Sequence, residues 1–154
     1  MSKSDHPGVR FPPPLTFAGF LAGGLWLDGS LGRPVPDFGA LQAIGAMLGL
    51  TALVLIGAAL GLFRRAGTRP EPWQPASTLV TTGMYRLSRN PMYLGMALLH
   101  LAIALYLSSL SAVVTAFLAA LLIDQTVIRR EEAYLLRRFG ADYQSYCSKV
   151  RRWL

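Results

Sequence analysis

The 154-residue sequence holds one cysteine, Cys147, and two histidines, His6 and His100, far apart in the chain. A single cysteine excludes an intrachain disulfide and a multi-cysteine zinc or iron–sulfur site. Without an HExxH or CxxC pattern, a tightly held transition metal is not expected either. Charge is also scarce. Only 15% of the residues are Asp, Glu, Lys or Arg, against roughly 25% in a soluble domain.

Apolar residues take their place, at 53% of the chain and a mean hydropathy of +0.39. They come in blocks rather than at amphipathic spacing, which marks a small integral membrane protein with one domain, residues 1–154. The net charge is +7. The positive residues flank the apolar runs, so they read as topology determinants and contacts to membrane lipids. Nucleic acid is not an expected partner.

The first run, Phe11 to Leu27, has 17 residues, near the lower limit for crossing a bilayer core of about 30 Å. The Pro12-Pro13-Pro14 start and the lack of a small-x-small cleavage site argue against a signal peptide, and the helix is expected to begin near Pro14. A loop, Asp28 to Asp37, carries the breakers Gly29, Gly32, Pro34 and Pro36 and one basic residue, Arg33. The second run, Phe38 to Phe63, has no formal charge. Its Gly45, Gly49, Gly57 and Gly61, like Gly19 and Gly23 in the first run, recur at multiples of four and predict close helix packing within the chain. Arg64 to Asn90 is a polar, proline-rich connection, with Trp73 expected at the headgroup level.

The third run, Pro91 to Ile123, would extend roughly 50 Å as one helix, too long for a span. Ser108-Ser109-Leu110-Ser111 in its middle predicts a hairpin with arms over 91–107 and 112–128. With four spans, 14 of the 15 Lys and Arg residues fall on one side and only Arg33 on the other. Both termini and both polar corners are then cytoplasmic, and the location expected is a prokaryotic plasma membrane. In the tail, 129–154, a helix should end near Phe139 with Gly140 as its cap, followed by a second helix capped by Asp142. Tyr143, Tyr146, Val150 and Trp153 recur on that second helix at helical spacing. The fold class expected is therefore an all-α integral membrane bundle of about four transmembrane helices, the last two a hairpin, plus a cytoplasmic helical segment.

The hairpin brings a cationic corner (Tyr85, Arg86, Arg89, Asn90, Tyr93) to the same membrane face as an anionic one, Glu131-Glu132. Such a site suits a polar ligand carrying both signs of charge, with a lipid-like partner admitted by the apolar bundle. Each residue also has a plainer role. Arg86 and Arg89 can be topology anchors, the Glu pair a solvated helix turn beside arginines, His100 a neutral packing residue and Cys147 inert. Asp124 is placed at the interface, within reach of a tail arginine.

The pattern Gly83-x-Tyr85-x3-Arg89-Asn90-Pro91-x-Tyr93-x-Gly95, then Glu131-Glu132, then Phe139-Gly140-x2-Tyr143-x2-Tyr146-x3-Val150 resembles the isoprenylcysteine carboxyl methyltransferase family. That family sits in a wider group of integral membrane methyltransferases that includes phospholipid methyltransferases. The resemblance covers about Gly67 to Trp153. It implies S-adenosylmethionine as methyl donor, held by the hairpin and the tail rather than by a Rossmann glycine loop, which the sequence lacks. It also implies catalytic roles for Arg89 and Glu132, and cofactor binding by Asn90, Pro91, Tyr93, Gly95, Glu131, Glu132 and Tyr143. Asn90 stands where many members have His; it keeps a donor and an acceptor but cannot titrate.

The expected reaction is methyl transfer to a lipophilic or lipidated acceptor entering from the bilayer, a carboxylate of isoprenylcysteine type. The rivals are a sterol-reductase-like enzyme using NADPH and a non-catalytic membrane module.

Overall fold

A computed structural model describes residues 7–9, 11–32, 39–71 and 73–154. Lys3, His6, Arg10, the Arg33–Asp37 part of the first loop, Phe38 and Pro72 lie outside the described residues. The described residues form helices and connections, with no strand among them.

Helix α1 spans Pro13–Ser30 and begins on a proline, whose missing N–H costs nothing in a first turn. Helix α2 spans Gly39–Arg65. It ends where Arg64 and Arg65 meet the negative end of the helix dipole. Gly67, at φ 61°, closes it, with Thr68 N–H donating to Phe63 C=O and Gly67 N–H to Arg64 C=O.

Helix α3 spans Pro91–Tyr106 and α4 spans Leu110–Ile123. The expected hairpin turn lies between them. Ser108 takes φ 51°, and Ser109 N–H returns to Ala104 C=O at 2.8 Å. The Ser109 hydroxyl then caps α4 by accepting Ala112 N–H.

α4 runs through a π-helical turn, Asp124–Ile128, into α5, Arg129–Lys149. The expected break at Gly140 is present as a kink, at φ 51° and ψ −121°. The expected helical stripe beyond it holds only in part. Tyr143 and Tyr146 are buried on α5, but the helix ends at Lys149 and Val150 is extended. Trp153 therefore sits on an irregular segment, because backbone and side-chain donors of the 88–90 segment capture the carbonyls of Arg151 and Arg152.

α2 packs on α3 and α1 on α4, with α3 against α4 in the middle. The glycine expectation needs correction. A Cβ at Gly45 would lie 2.7 Å from the Ala102 carbonyl, and one at Gly24 would lie 2.6 Å from Ala112 Cα. Gly19, Gly23, Gly57 and Gly61 meet nothing within 4 Å. Sequence spacing marks a stripe, but the crossing points of the helices select which glycines are used.

α2, at 27 residues, and the continuous helix Leu110–Lys149 are long and apolar enough to cross a membrane. α3, at 16 residues, is shorter. Met47 and Leu50 on α2 and Phe117 on α4 are exposed on the outer faces, as a chain solvated by lipid requires.

Candidate active site

Three elements build the polar corner. Gly83, at φ 58°, opens a 3-10 turn, Gly83–Arg86, packed on Leu62 of α2. The turn buries Tyr85, whose ring meets Phe63 edge to face at 5.6 Å. Tyr146 on α5 donates its hydroxyl to the Tyr85 carbonyl at 2.6 Å, fixing α5 to the turn. Ser88, Arg89 and Asn90 follow, and Pro91 then starts α3, with Asn90 before it held outside the helical region at φ −130° and ψ 54°.

The π turn sets which way the Glu pair points. Asp124 and Glu132 are eight residues apart, two turns and a fraction of an α-helix. A π turn absorbs one additional residue, so both carboxylates come round to one face. There the Arg152 guanidinium bridges them. It donates to both oxygens of Glu132 and lies 3.4 Å from Asp124 Oδ2. Arg89 Nη2 reaches Glu132 Oε1 at 3.1 Å from the other side. The pairing of Asp124 with a tail arginine is as the sequence led one to expect, and Trp153 Nε1–H adds a bond to Asp124 Oδ1 at 3.0 Å.

Glu131 points elsewhere. It accepts the Tyr93 hydroxyl at 2.7 Å and lines a cavity of about 100 Å³. Glu131 is partly buried. Burial pushes its pKa up to about 7, the neighbouring Glu132 charge adds to this, and the Tyr93 hydrogen bond opposes it. Burial also raises the phenols of Tyr85, Tyr143 and Tyr146, which stay protonated donors.

Of the residues the sequence singles out, Arg89, Asn90, Tyr93, Glu131, Glu132 and Tyr143 all line this one cavity. Pro91 and Gly95 do not. Pro91 is fully buried as the first residue of α3, and Gly95 lets α2 approach, since a Cβ there would lie 2.6 Å from Ile56. The Asn90 amide donates to the Arg152 carbonyl at 3.0 Å, a hydrogen-bonding duty that needs no titrating ring. Arg86 is exposed in an adjoining groove, away from the Glu pair. His100 packs edge-on against Phe17 and lies 3.4 Å from Thr115 Oγ1, in the helix-packing role.

Sequence reasoning missed Ser88 and Arg152. The only signal for Ser88 is its place beside Arg89, and Arg152 reads as one more cation in a basic tail.

A family model for phospholipid methyltransferase matches residues 40–142, two-thirds of the chain and nearly all of this site. The chain belongs to that family of integral membrane methyltransferases, which includes isoprenylcysteine carboxyl methyltransferase-like proteins. A protein of Haemophilus influenzae, described only as uncharacterized, is 44% identical over 63 residues, 41% of this chain and the whole of that protein. The family points to a membrane methyltransferase, and the helices long enough to span agree with membrane association.

Proposed function

We propose that the protein transfers a methyl group from S-adenosylmethionine to a lipophilic acceptor entering from the bilayer. The observation that carries this reading is the convergence of both motifs on one cavity whose polar groups keep capacity to spare. Glu131 has a single hydrogen-bond donor, Tyr93, among the described residues, and Arg89 Nε is buried with no partner among them. An acceptor and a donor side by side fit the zwitterionic amino-acid end of the cofactor. The family generally uses that cofactor.

When bound, S-adenosylmethionine supplies an electrophilic methyl group. Arg89, a residue of the cavity wall, would hold the cofactor carboxylate through its guanidinium. Tyr143 would offer an aromatic face to the adenine or the sulfonium. Asn90, Pro91 and Gly95 would frame the first turn of α3. The cavity is smaller than the roughly 300–1,000 Å³ usual for small-molecule sites. The cofactor would therefore extend into the adjoining groove, which shares Thr78, Leu79 and Tyr146 with the cavity. Methyl transfer is an in-line displacement, and positioning can supply up to about 7–11 kcal/mol.

Glu131 favours a second reading of the acceptor. The carboxylate acceptor expected from the resemblance arrives ionised and needs no base. A carboxyl group titrating near neutrality at the cavity wall suits an acceptor that must lose a proton, such as a lipid amine. In that reading the proton released on attack passes to Glu131 Oε, with the Tyr93 hydroxyl holding the carboxylate in place.

The test is calorimetric titration of the detergent-purified protein with S-adenosylhomocysteine, the expected product. Saturable binding that is lost in Arg89→Ala supports the cofactor reading. No binding, with thermal stabilisation by NADPH instead, would return the reductase reading, and silence to both would favour a non-catalytic module.

A further inference from the structure

The segment after α5 is stitched to both motifs at once. Arg89 N–H donates to the Arg151 carbonyl at 2.9 Å. Ser88 Oγ–H and Asn90 Nδ2–H both donate to the Arg152 carbonyl, at 3.2 and 3.0 Å. The Arg152 side chain then crosses to the other motif and forks onto Glu132, while the indole N–H of Trp153 and the far edge of the guanidinium meet Asp124 on the π turn. One residue, Arg152, thus touches the 88–90 segment through its carbonyl and the Glu pair through its side chain.

The consequence for Glu132 is specific. An ionised carboxylate offers about four acceptor positions. Arg152 takes two of them with hydrogen bonds, and Arg89 Nη2 adds an ion pair to Oε1 at 3.1 Å. Glu132 is therefore a node between two arginines rather than an open ligand group. Its negative charge cannot serve both cations loosely, because a forked guanidinium fixes the plane of the carboxylate. Holding that plane sets the carboxylate oxygen with which Arg89 Nη2 pairs, and so restrains the Arg89 guanidinium.

We propose that Arg152 is a positioning residue for the cofactor site: it locks Glu132 against Asp124 so that Glu132 holds Arg89 in place at the cavity wall. Arg152 is not among the residues around that cavity and lines a neighbouring groove that shares Arg89, Glu132 and Tyr143 with it; its side chain reaches the cavity wall through Glu132, which it holds. The inference rests on the cofactor reading above. Lysine at this position would keep the charge but not the fork.

The experiment is titration of S-adenosylhomocysteine into the full-length, detergent-purified protein and its variants, with thermal melting of each as a folding control. Arg152→Ala is expected to weaken binding about tenfold or more, and Arg152→Lys about threefold to tenfold. The double variant Arg152→Ala with Glu132→Gln decides the route. If Arg152 works through Glu132, the double variant binds no worse than Glu132→Gln alone; a merely structural role makes the two losses multiply. Wild-type affinity, within about twofold, in a folded Arg152→Ala protein would overturn the proposal, as would multiplying losses. Should Arg152→Ala not fold, Arg152→Lys carries the test, and wild-type affinity there overturns it equally. A wild-type protein that fails to bind at all removes the cofactor reading itself, which separates that failure from this one.

Discussion

At the turn between α3 and α4, the carboxylate of Asp28 from the end of α1 accepts Ser109 Oγ–H, Ser111 Oγ–H and Ser111 N–H. At the opposite end of the same hairpin, Glu132 is held by two arginines and Glu131 by one tyrosine. Among the described residues, the first cluster ties serine hydroxyls and a helix N-terminal N–H around the Asp28 carboxylate, a capping arrangement. Backbones close in tightly there, with Gly24 against Ala112 and Gly45 against Ala102 and Tyr106. The second cluster is looser. Close approaches occur there too, at Gly95 against Ile56 and Gly83 against Leu62, but side chains of α2, α3 and α5 leave a cavity between them. Both ends bring carboxylates to a helix hairpin. At the looser end, among the described residues, Glu131 keeps acceptor capacity at the wall of a cavity, and that separates a site from a fastening.

The sharpest way to break this comparison is to remove the proton-accepting capacity of Glu131 while keeping its shape. Glu131→Gln should lower labelled-methyl incorporation into an amine lipid by about 10²- to 10⁴-fold. The assay is transfer from S-adenosylmethionine into the lipid extract of vesicles carrying the protein. Unchanged transfer would return the acceptor to a carboxylate.

The next effect is in pH. Glu131 titrates near 7 in the folded protein and near 4.5 ordinarily. The folded state therefore binds the proton more tightly, and between those values it holds more protons than the unfolded chain. Its contribution is fully present below about pH 4.5 and is lost as pH rises to 7, by up to about 3 kcal/mol. Melting temperature in detergent should fall across that window, and Glu131→Gln should flatten the fall. An equal slope in the variant would assign the dependence to another group.

Much of this contrast is legible in the amino-acid sequence. Pro91 announces the start of α3, Ser108-Ser109 the turn, Gly140 the kink, and the two motifs together with Tyr143 of the tail name six residues that do share a cavity. These signals are local, carried by residue types with strong backbone preferences. The π turn is not legible there, since nothing in Asp124–Ile128 requires it, and its purpose is visible only with Arg152 bridging Asp124 to Glu132. The segment after Lys149 misleads for a related reason. Val150 and Trp153 keep helical spacing, yet hydrogen bonds from residues 88–90, some sixty positions earlier, draw the chain out of the helix. Long-range partners override local pattern at the place where the site is assembled.

The two ends can also be compared by adding a methyl group to each. At the tight end, Gly24→Ala would set a Cβ 2.6 Å from both Ala112 Cα and Thr115 Oγ1. Backbone cannot yield cheaply, so the cost should be about 1–3 kcal/mol, read as a lower melting temperature.

At the loose end the same change should act in the opposite direction and less strongly. Gly57 is an exposed position in the middle of α2 with nothing within 4 Å of a built Cβ. Alanine there restricts the unfolded chain and costs no packing, so Gly57→Ala should stabilise by about 0.5–1 kcal/mol. Affinity for S-adenosylhomocysteine should not change, because Gly57 is not among the residues around the cavity. A destabilised Gly57→Ala would mean that α2 is approached on this face by something the isolated chain does not contain, and that the looseness of the polar end belongs to the single chain alone.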